Sequence, residues 1–265
     1  MPKFAANLSM LYPEHDFLAR YAAAARDGFK AVECMFPYEV QPHLIAQALA
    51  DHGLQQVLIN APAGDWEAGW RGLACVAGGE NAFEKSIAQA LHYAAVLACP
   101  RIHVMAGLVP AGSSAASVRS IYVNNLRCAA KLAAKQAVQL MIEPLNARDM
   151  PRYFLSNQAQ AHALLDDIAE PNVRVQMDLY HCQISEGDVA SKLRQYLPAG
   201  RVGHIQIAGV PMRQEPSVGE LNYDYLFKII DELGYTGWVG CEYRPALGMQ
   251  AGGTSAGLNW LKPYL

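Results

Sequence analysis

Val239-Gly240-Cys241-Glu242-Tyr243-Arg244-Pro245 is an apolar run that stops at a glutamate, with a proline three residues later. Leu140-Met141-Ile142-Glu143-Pro144 has the same design. Short apolar runs bounded by turn residues fit strands buried on both faces. An acid at the end of such a strand stands where a parallel strand opens into a loop, the end at which α/β folds bind ligands. Val173-Arg174-Val175-Gln176-Met177-Asp178 and Val202-Gly203-His204-Ile205-Gln206 behave alike. Four runs thus deliver an oxygen-bearing side chain at the same end.

On either side of these runs the chain alternates strand and helix. Strands are expected at Phe4–Met10, Phe29–Cys34, Gln56–Asn60, Arg101–Ala106, Val138–Glu143, Val173–Asp178, Val202–Ile207 and Trp238–Glu242. Helical spacing falls between them, over Asp16–Asp27, Pro42–His52, Glu80–Leu97, Ser114–Lys135, Ser156–Ile168, Gly187–Leu197 and Asn222–Leu233, with a short closing helix over Ala256–Leu261. Ser156 reads as an N-cap. Eight βα units in 265 residues predict an α/β fold, a single (β/α)8 TIM barrel over residues 1–265. No GxGxxG follows the first strand, so no nucleotide cofactor is expected. Residues 61–79 break the rhythm with six Gly or Pro residues around Asp65, Trp66, Trp70 and Arg71, the layout of a functional loop or lid.

Composition narrows the class. With 52% hydrophobic and 17% charged residues the chain can bury a large core. A formal net charge of -3 gives no basic footprint, so nucleic acid is not an expected partner. No apolar run approaches the roughly 20 residues of a membrane span, so no membrane partner is expected. Met1-Pro2-Lys3-Phe4 leads into a strand without a signal-peptide layout, and a cytoplasmic location is expected. Six cysteines without a CxxC pair read as reduced core thiols. A homo-oligomer is compatible with all of this.

Glu143, Asp178, Gln206 and Glu242 would meet at one mouth of such a barrel. Three carboxylates that close repel one another unless a cation neutralises them. Oxygen-only ligands suit a hard divalent ion such as Mg2+ or Mn2+. The plainer alternative is that some of these acids cap helices or pair with Arg174 and Arg244. His103 and His204 lie inside apolar strands and read as satisfied core histidines. Asp149 reads as a partner of Arg148 or Arg152. Glu33 and Asn60 end their strands and face the same mouth.

Several longer motifs carry a resemblance. Ile142-Glu143-Pro144-Leu145-Asn146, Met177-Asp178-Leu179-Tyr180-His181, His204-Ile205-Gln206-Ile207-Ala208, Gly240-Cys241-Glu242-Tyr243, Pro62-Ala63-Gly64-Asp65-Trp66 and Gly219-Glu220-Leu221-Asn222-Tyr223 resemble the hydroxypyruvate isomerases. These belong to the xylose isomerase-like barrel superfamily, with ketose epimerases and endonuclease IV, and 2-oxo-tetronate isomerase shares most of the motifs. The resemblance implies that Glu143 and Glu242 are the paired acid and base. It implies that Glu143, Asp178, Gln206 and Glu242 surround a divalent metal and that His181 and Arg213 contact a small 2-oxo or hydroxy acid substrate. Sugar epimerases of the superfamily place histidine where Gln206 stands. A neutral amide oxygen is a weaker ligand, so the metal is expected without being strictly required. Arg213 or Arg71 would bind the substrate carboxylate, and Asn60 stands at the same mouth. The expected reaction is an aldose–ketose isomerisation through an enediolate, with 2-oxo-tetronate isomerase or a ketose epimerase as the near alternative. An endonuclease IV-like phosphodiesterase is the remote one, because it needs a basic face and many histidines.

Overall fold

In a computed structural model that describes residues 1–264, eight parallel strands close into a barrel in chain order, β8 pairing back to β1. The strands are β1 (Lys3–Asn7), β2 (Ala31–Cys34), β3 (Gln55–Asn60), β4 (Arg101–His103), β5 (Gln139–Ile142), β6 (Val173–Asp178), β7 (Val202–Ile207) and β8 (Trp238–Cys241). The helices are α1 (Ala19–Arg26), α2 (Pro42–His52), α3 (Glu80–Val96), α4 (Ala115–Ala134), α5 (Gln158–Ile168), α6 (Leu179–Ser185), α7 (Val189–Tyr196), α8 (Tyr223–Glu232) and α9 (Gly253–Gly257). A 3-10 helix, Leu258–Tyr264, follows. No helix among the described residues is long and apolar enough to cross a membrane.

The expected eight-unit rhythm holds, with three local corrections. The segment between β6 and β7 holds two helices, α6 and α7, where one was expected. No turn residue separates β6 from α6, because Asp178 both ends the strand and caps the helix, accepting the Tyr180 N–H at 2.8 Å. The N-cap of α5 is Asn157 rather than Ser156, its side chain accepting the Gln160 N–H at 2.8 Å. The closing segment begins earlier than expected, at Gly253, because a left-handed Gly252 starts it.

The apolar strands are not apolar on both faces. One set of alternating positions, including Ile102, Ile142, Val175, Ile205 and Val239, packs into the main hydrophobic core. The other set carries Glu33, His103, Gln176, His204 and Gln206, all buried. These polar side chains meet inside the barrel. Glu33 on β2 accepts from His204 Nε2 at 2.6 Å and from Gln206 Nε2 at 2.7 Å, both on β7. Strands β2 and β7 are not neighbours, so these bonds cross the lumen. Asn7 donates to the same carboxylate at 3.0 Å. Three donors satisfy a carboxylate that burial alone would make very costly. Five of the six cysteines are buried and free, as expected, whereas Cys128 on α4 is exposed.

Gly240 on β8 faces that carboxylate. A Cβ there would fall inside contact distance of both Glu33 oxygens. Glu33 is pinned by its three donors and has nowhere to retreat. Gly240→Ala is therefore expected to destabilise the fold by about 1–3 kcal/mol, the usual cost of overpacking. Urea unfolding of both proteins measures it, and an unchanged midpoint would contradict so tight a lumen.

Candidate active site at the mouth of the barrel

The strand ends at the C-terminal side of the barrel open onto a cavity of about 530 Å³, within the usual size range of small-molecule sites. Its lining includes Asn60, His103, Glu143, His181, Arg213 and Glu242. Arg71 and Trp66 of the glycine-rich loop also line it. The expected site residues from β3, β5, α6 and the loops after β7 and β8 are thus brought together. Asp178 and Gln206 are not in the cavity lining, and each is only 1% exposed.

Glu143 and Glu242 are the residues just past the ends of β5 and β8. Arg213 joins the acids. It sits in left-handed backbone (φ 54°) in the loop after β7. From there its Nη2 reaches Glu242 Oε1 at 2.7 Å and Asp178 Oδ2 at 3.6 Å. Its guanidinium lies 4.9 Å from the centre of the Tyr180 ring. Burial opposes the charge on Arg213, but Glu242, Asp178 and Glu143 more than offset this and hold it fully cationic. The residue that pairs with the strand-end acids is therefore Arg213, and among the described residues neither Arg174 nor Arg244 forms an ion pair with them.

One cation does not satisfy three buried carboxyls. Burial first, then the neighbouring charges of Glu242 and Asp178, raise the Glu143 carboxyl well above its usual value. Burial pushes Glu242 up to about 8 against the pull of Arg213. Asp178 goes up to about 6 for the same reason, with Arg213 again opposing. Glu143 Oε1 and Asp178 Oδ2 are buried without a hydrogen-bond partner. Glu143, Asp178 and His181 each offer an atom within 4.8 Å of the others. Orphaned carboxylate oxygens in such a cluster fit a hard divalent cation. The arrangement allows a metal here. Gln206 is already engaged, its oxygen accepting from Gln176 at 2.6 Å and its nitrogen donating to Glu33. The carbonyl retains a second lone pair, and Glu33 fixes which way the amide faces.

Other residues carry more than their sequence context suggested. His103 is not a satisfied core histidine. It lines the cavity, both ring nitrogens lack a hydrogen-bond partner, and Nε2 lies 3.4 Å from Glu143 Oε2. Burial and the facing His204 lower it to about 3, so it is neutral. Its strand neighbours are apolar, and only the direction its side chain takes into the lumen reveals the role. Asp149 does pair with Arg148, at 3.4 Å. It also accepts from Tyr180 Oη at 2.7 Å and from Asn146 Nδ2 at 3.1 Å, and it lines the cavity. Partial burial raises its carboxyl, but those hydrogen bonds win and keep it below the usual value. The Pro-Leu-Asn-Ala-Arg-Asp run after Glu143 was the available signal. Arg71 is held by its own loop: Nη1 donates to the carbonyls of Trp66 at 2.9 Å and Trp70 at 2.6 Å, and the guanidinium stacks 4.0 Å over Trp66.

Residues 21–264 match the family described as the xylose isomerase-like TIM barrel. The chain belongs to that family. It is 57% identical over 265 residues to 2-oxo-tetronate isomerase of Cupriavidus necator, covering all of this chain and 99% of the relative. It is 45% identical over 264 residues to hydroxypyruvate isomerase of Escherichia coli, with full coverage of both. Among solved structures it superposes on a Brucella melitensis protein described as an AP endonuclease of family 2, with a TM-score of 0.95, 44% identity and coverage of 100% and 99%. The fold is also shared with D-psicose 3-epimerase of Clostridium cellulolyticum, at a TM-score of 0.76, 16% identity and 99% coverage of both chains.

The raised carboxyls carry a pH signature. In the unfolded chain Glu242 loses its proton near its usual 4.5, whereas the folded, metal-free protein keeps it up to about 8. Between those values the unfolded state binds fewer protons, so stability falls as pH rises. Asp178 adds the same trend between 3.8 and about 6. Chelated protein is therefore expected to lose melting temperature from pH 5 to pH 8.5, and Glu242→Gln to flatten that slope. Calorimetry across the range measures both, and an unchanged slope in the variant would contradict the assignment.

Proposed function

We propose that the chain interconverts hydroxypyruvate and 2-hydroxy-3-oxopropanoate (tartronate semialdehyde), with Glu143 and Glu242 moving the proton between adjacent carbons. One observation carries the reading. Two buried carboxyls from β5 and β8 share a single cavity, one next to a fixed guanidinium and the other next to a neutral histidine. Such a pair can hold one proton between them near neutral pH, which supplies a base and an acid together. The names of its full-length relatives supply the substrate class.

One carboxylate takes a proton from the hydroxyl-bearing C3, leaving an enediolate across C2 and C3. A proton delivered to C2, with the hydroxyl proton passing from the C3 oxygen to the C2 oxygen, completes the isomerisation. Arg213 stands beside Glu242, where it can hold the substrate's oxygens and steady developing negative charge. Arg71, pre-set by its stack on Trp66, and Asn60 line the same cavity and are assigned to the substrate carboxylate and hydroxyls. Glu143, Asp178, Gln206 and Glu242 would hold a divalent ion, Mg2+ or Mn2+. Such an ion would neutralise their mutual repulsion and would polarise the substrate oxygens.

A four-carbon substrate is the second reading. The 57% identity to a 2-oxo-tetronate isomerase favours it, and a cavity of about 530 Å³ admits either acid. A phosphodiesterase on the same barrel has less support, since the formal charge of -3 and an acidic cavity offer no seat for nucleic acid. A cytoplasmic location accords with a small, charged metabolite as substrate.

Proton NMR of the protein with hydroxypyruvate in D2O, with Mg2+ and again after chelation, tests the reading. The expected product is tartronate semialdehyde deuterated at the new C–H. Unlabelled product would replace the two-glutamate route with a shielded transfer. No product, together with turnover of a four-carbon 2-oxo acid, would move the assignment to the second reading. Glu143→Gln and Glu242→Gln are each expected to lower kcat at least about 10²-fold, the usual weight of a general acid or base.

A further inference from the structure

His181 stands 3.7 Å from Asp178 through Nε2 and lines the cavity, which leaves its role open between metal ligand and hydrogen-bond donor. The answer depends on which ring nitrogen holds the proton. A neutral imidazole carries one N–H and one lone pair. A histidine that ligates a metal through one nitrogen needs an acceptor facing the N–H of the other.

The second nitrogen of His181 faces donors instead. Its Nδ1 is 3.2 Å from the backbone N–H of Asn146 and 2.7 Å from the Asn146 side-chain nitrogen. The orientation of that amide is fixed independently. Asn146 Oδ1 accepts the Asp149 backbone N–H at 2.9 Å, and Nδ2 faces the Asp149 carboxylate at 3.1 Å. Turning the amide over would set oxygen against a carboxylate and N–H against N–H. Asp149 is anchored in turn by Tyr180 Oη at 2.7 Å. Asn146 is fully buried, so no water competes for these bonds.

We propose that Asn146 is a positioning residue: its two N–H groups hold the lone pair of His181 on Nδ1 and leave the proton on Nε2, making His181 a donor to the substrate and not a metal ligand. The distance of 3.7 Å from Nε2 to Asp178 Oδ2 is too long for a hydrogen bond, so the N–H stays free for a ligand oxygen. Of the three groups within 4.8 Å of one another, Glu143 and Asp178 then supply oxygens for a cation, and His181 supplies a proton donor. In the isomerase, on which this role rests, the recipient is a substrate oxygen that gains charge in the enediolate.

Long-range proton–nitrogen NMR of protein labelled with 15N-histidine reads the tautomer directly. The chain has eight histidines, and the signal absent from His181→Gln is that of His181. The expected pattern is protonated Nε2 and bare Nδ1 in the wild type, unchanged when Mg2+ is added after chelation. Protonated Nδ1, or loss of the Nε2 proton on adding Mg2+, overturns the proposal. Two variants separate positioning from mere packing. Asn146→Asp replaces a donor by an acceptor, and should move the proton to Nδ1 and lower kcat about 10²-fold or more, with KM changed far less. Asn146→Ala keeps the backbone donor and should keep the tautomer, with kcat within about tenfold of wild type. Equal losses in both variants with the wild-type tautomer retained would assign Asn146 a structural role and overturn the proposal. The NMR result stands whether or not hydroxypyruvate is turned over, so failure of the substrate assignment is distinguishable from failure of the tautomer.

Discussion

Buried negative charge organises this barrel. Glu33, Glu143, Asp178 and Glu242 are each less than a tenth exposed, and all point to the inside of one closed sheet. Charges removed from water are tolerated only when paired, hydrogen-bonded or protonated. The chain uses all three. Glu33 is surrounded by donors from Asn7, His204 and Gln206. Glu242 is paired with Arg213, and Glu143 is left with an unpartnered oxygen and a strongly raised carboxyl.

The difference between these solutions separates scaffold from chemistry. Both oxygens of the Glu33 carboxylate are engaged, and its bonds tie β1, β2 and β7 together through the lumen. Above it, the acids at the cavity are incompletely satisfied. An incompletely satisfied buried group is costly in the free protein, but it is ready to bind a cation or exchange a proton. Gln206 extends the Glu33 network to β6, since its amide bonds Glu33 on one side and Gln176 on the other.

The loops complete the site by adding charge and by restricting its orientation. The left-handed backbone of Arg213 turns its own side chain back over the strand ends. The Asn146–Asp149–Tyr180 cluster ties the loop after β5 to α6, so the direction in which His181 presents a proton depends on a residue that does not itself line the cavity. Trp66 holds Arg71 at the rim by stacking. Each of these contacts limits a side chain with many rotamers to one, which is what preorganisation requires.

The alternation of apolar runs with helical spacing was enough to specify eight strands and a closed barrel, because burial on a sheet and on a helix leaves different periods in the sequence. The acids at the end of β6 and just past β5 and β8 were legible for the same reason, as each interrupts an apolar run where a strand stops. His103 was not legible: an isolated histidine between Ile102 and Val104 looks like core until the sheet closes and aims it at Glu143. Helix α6 was hidden because Asp178 ends one element and caps the next. Local sequence determines which residues are buried and where elements stop. Which buried residues face one another across the lumen, and hence which nitrogen of His181 is protonated and which acid meets Arg213, depends on contacts between distant segments. Only the closed tertiary structure decides those contacts.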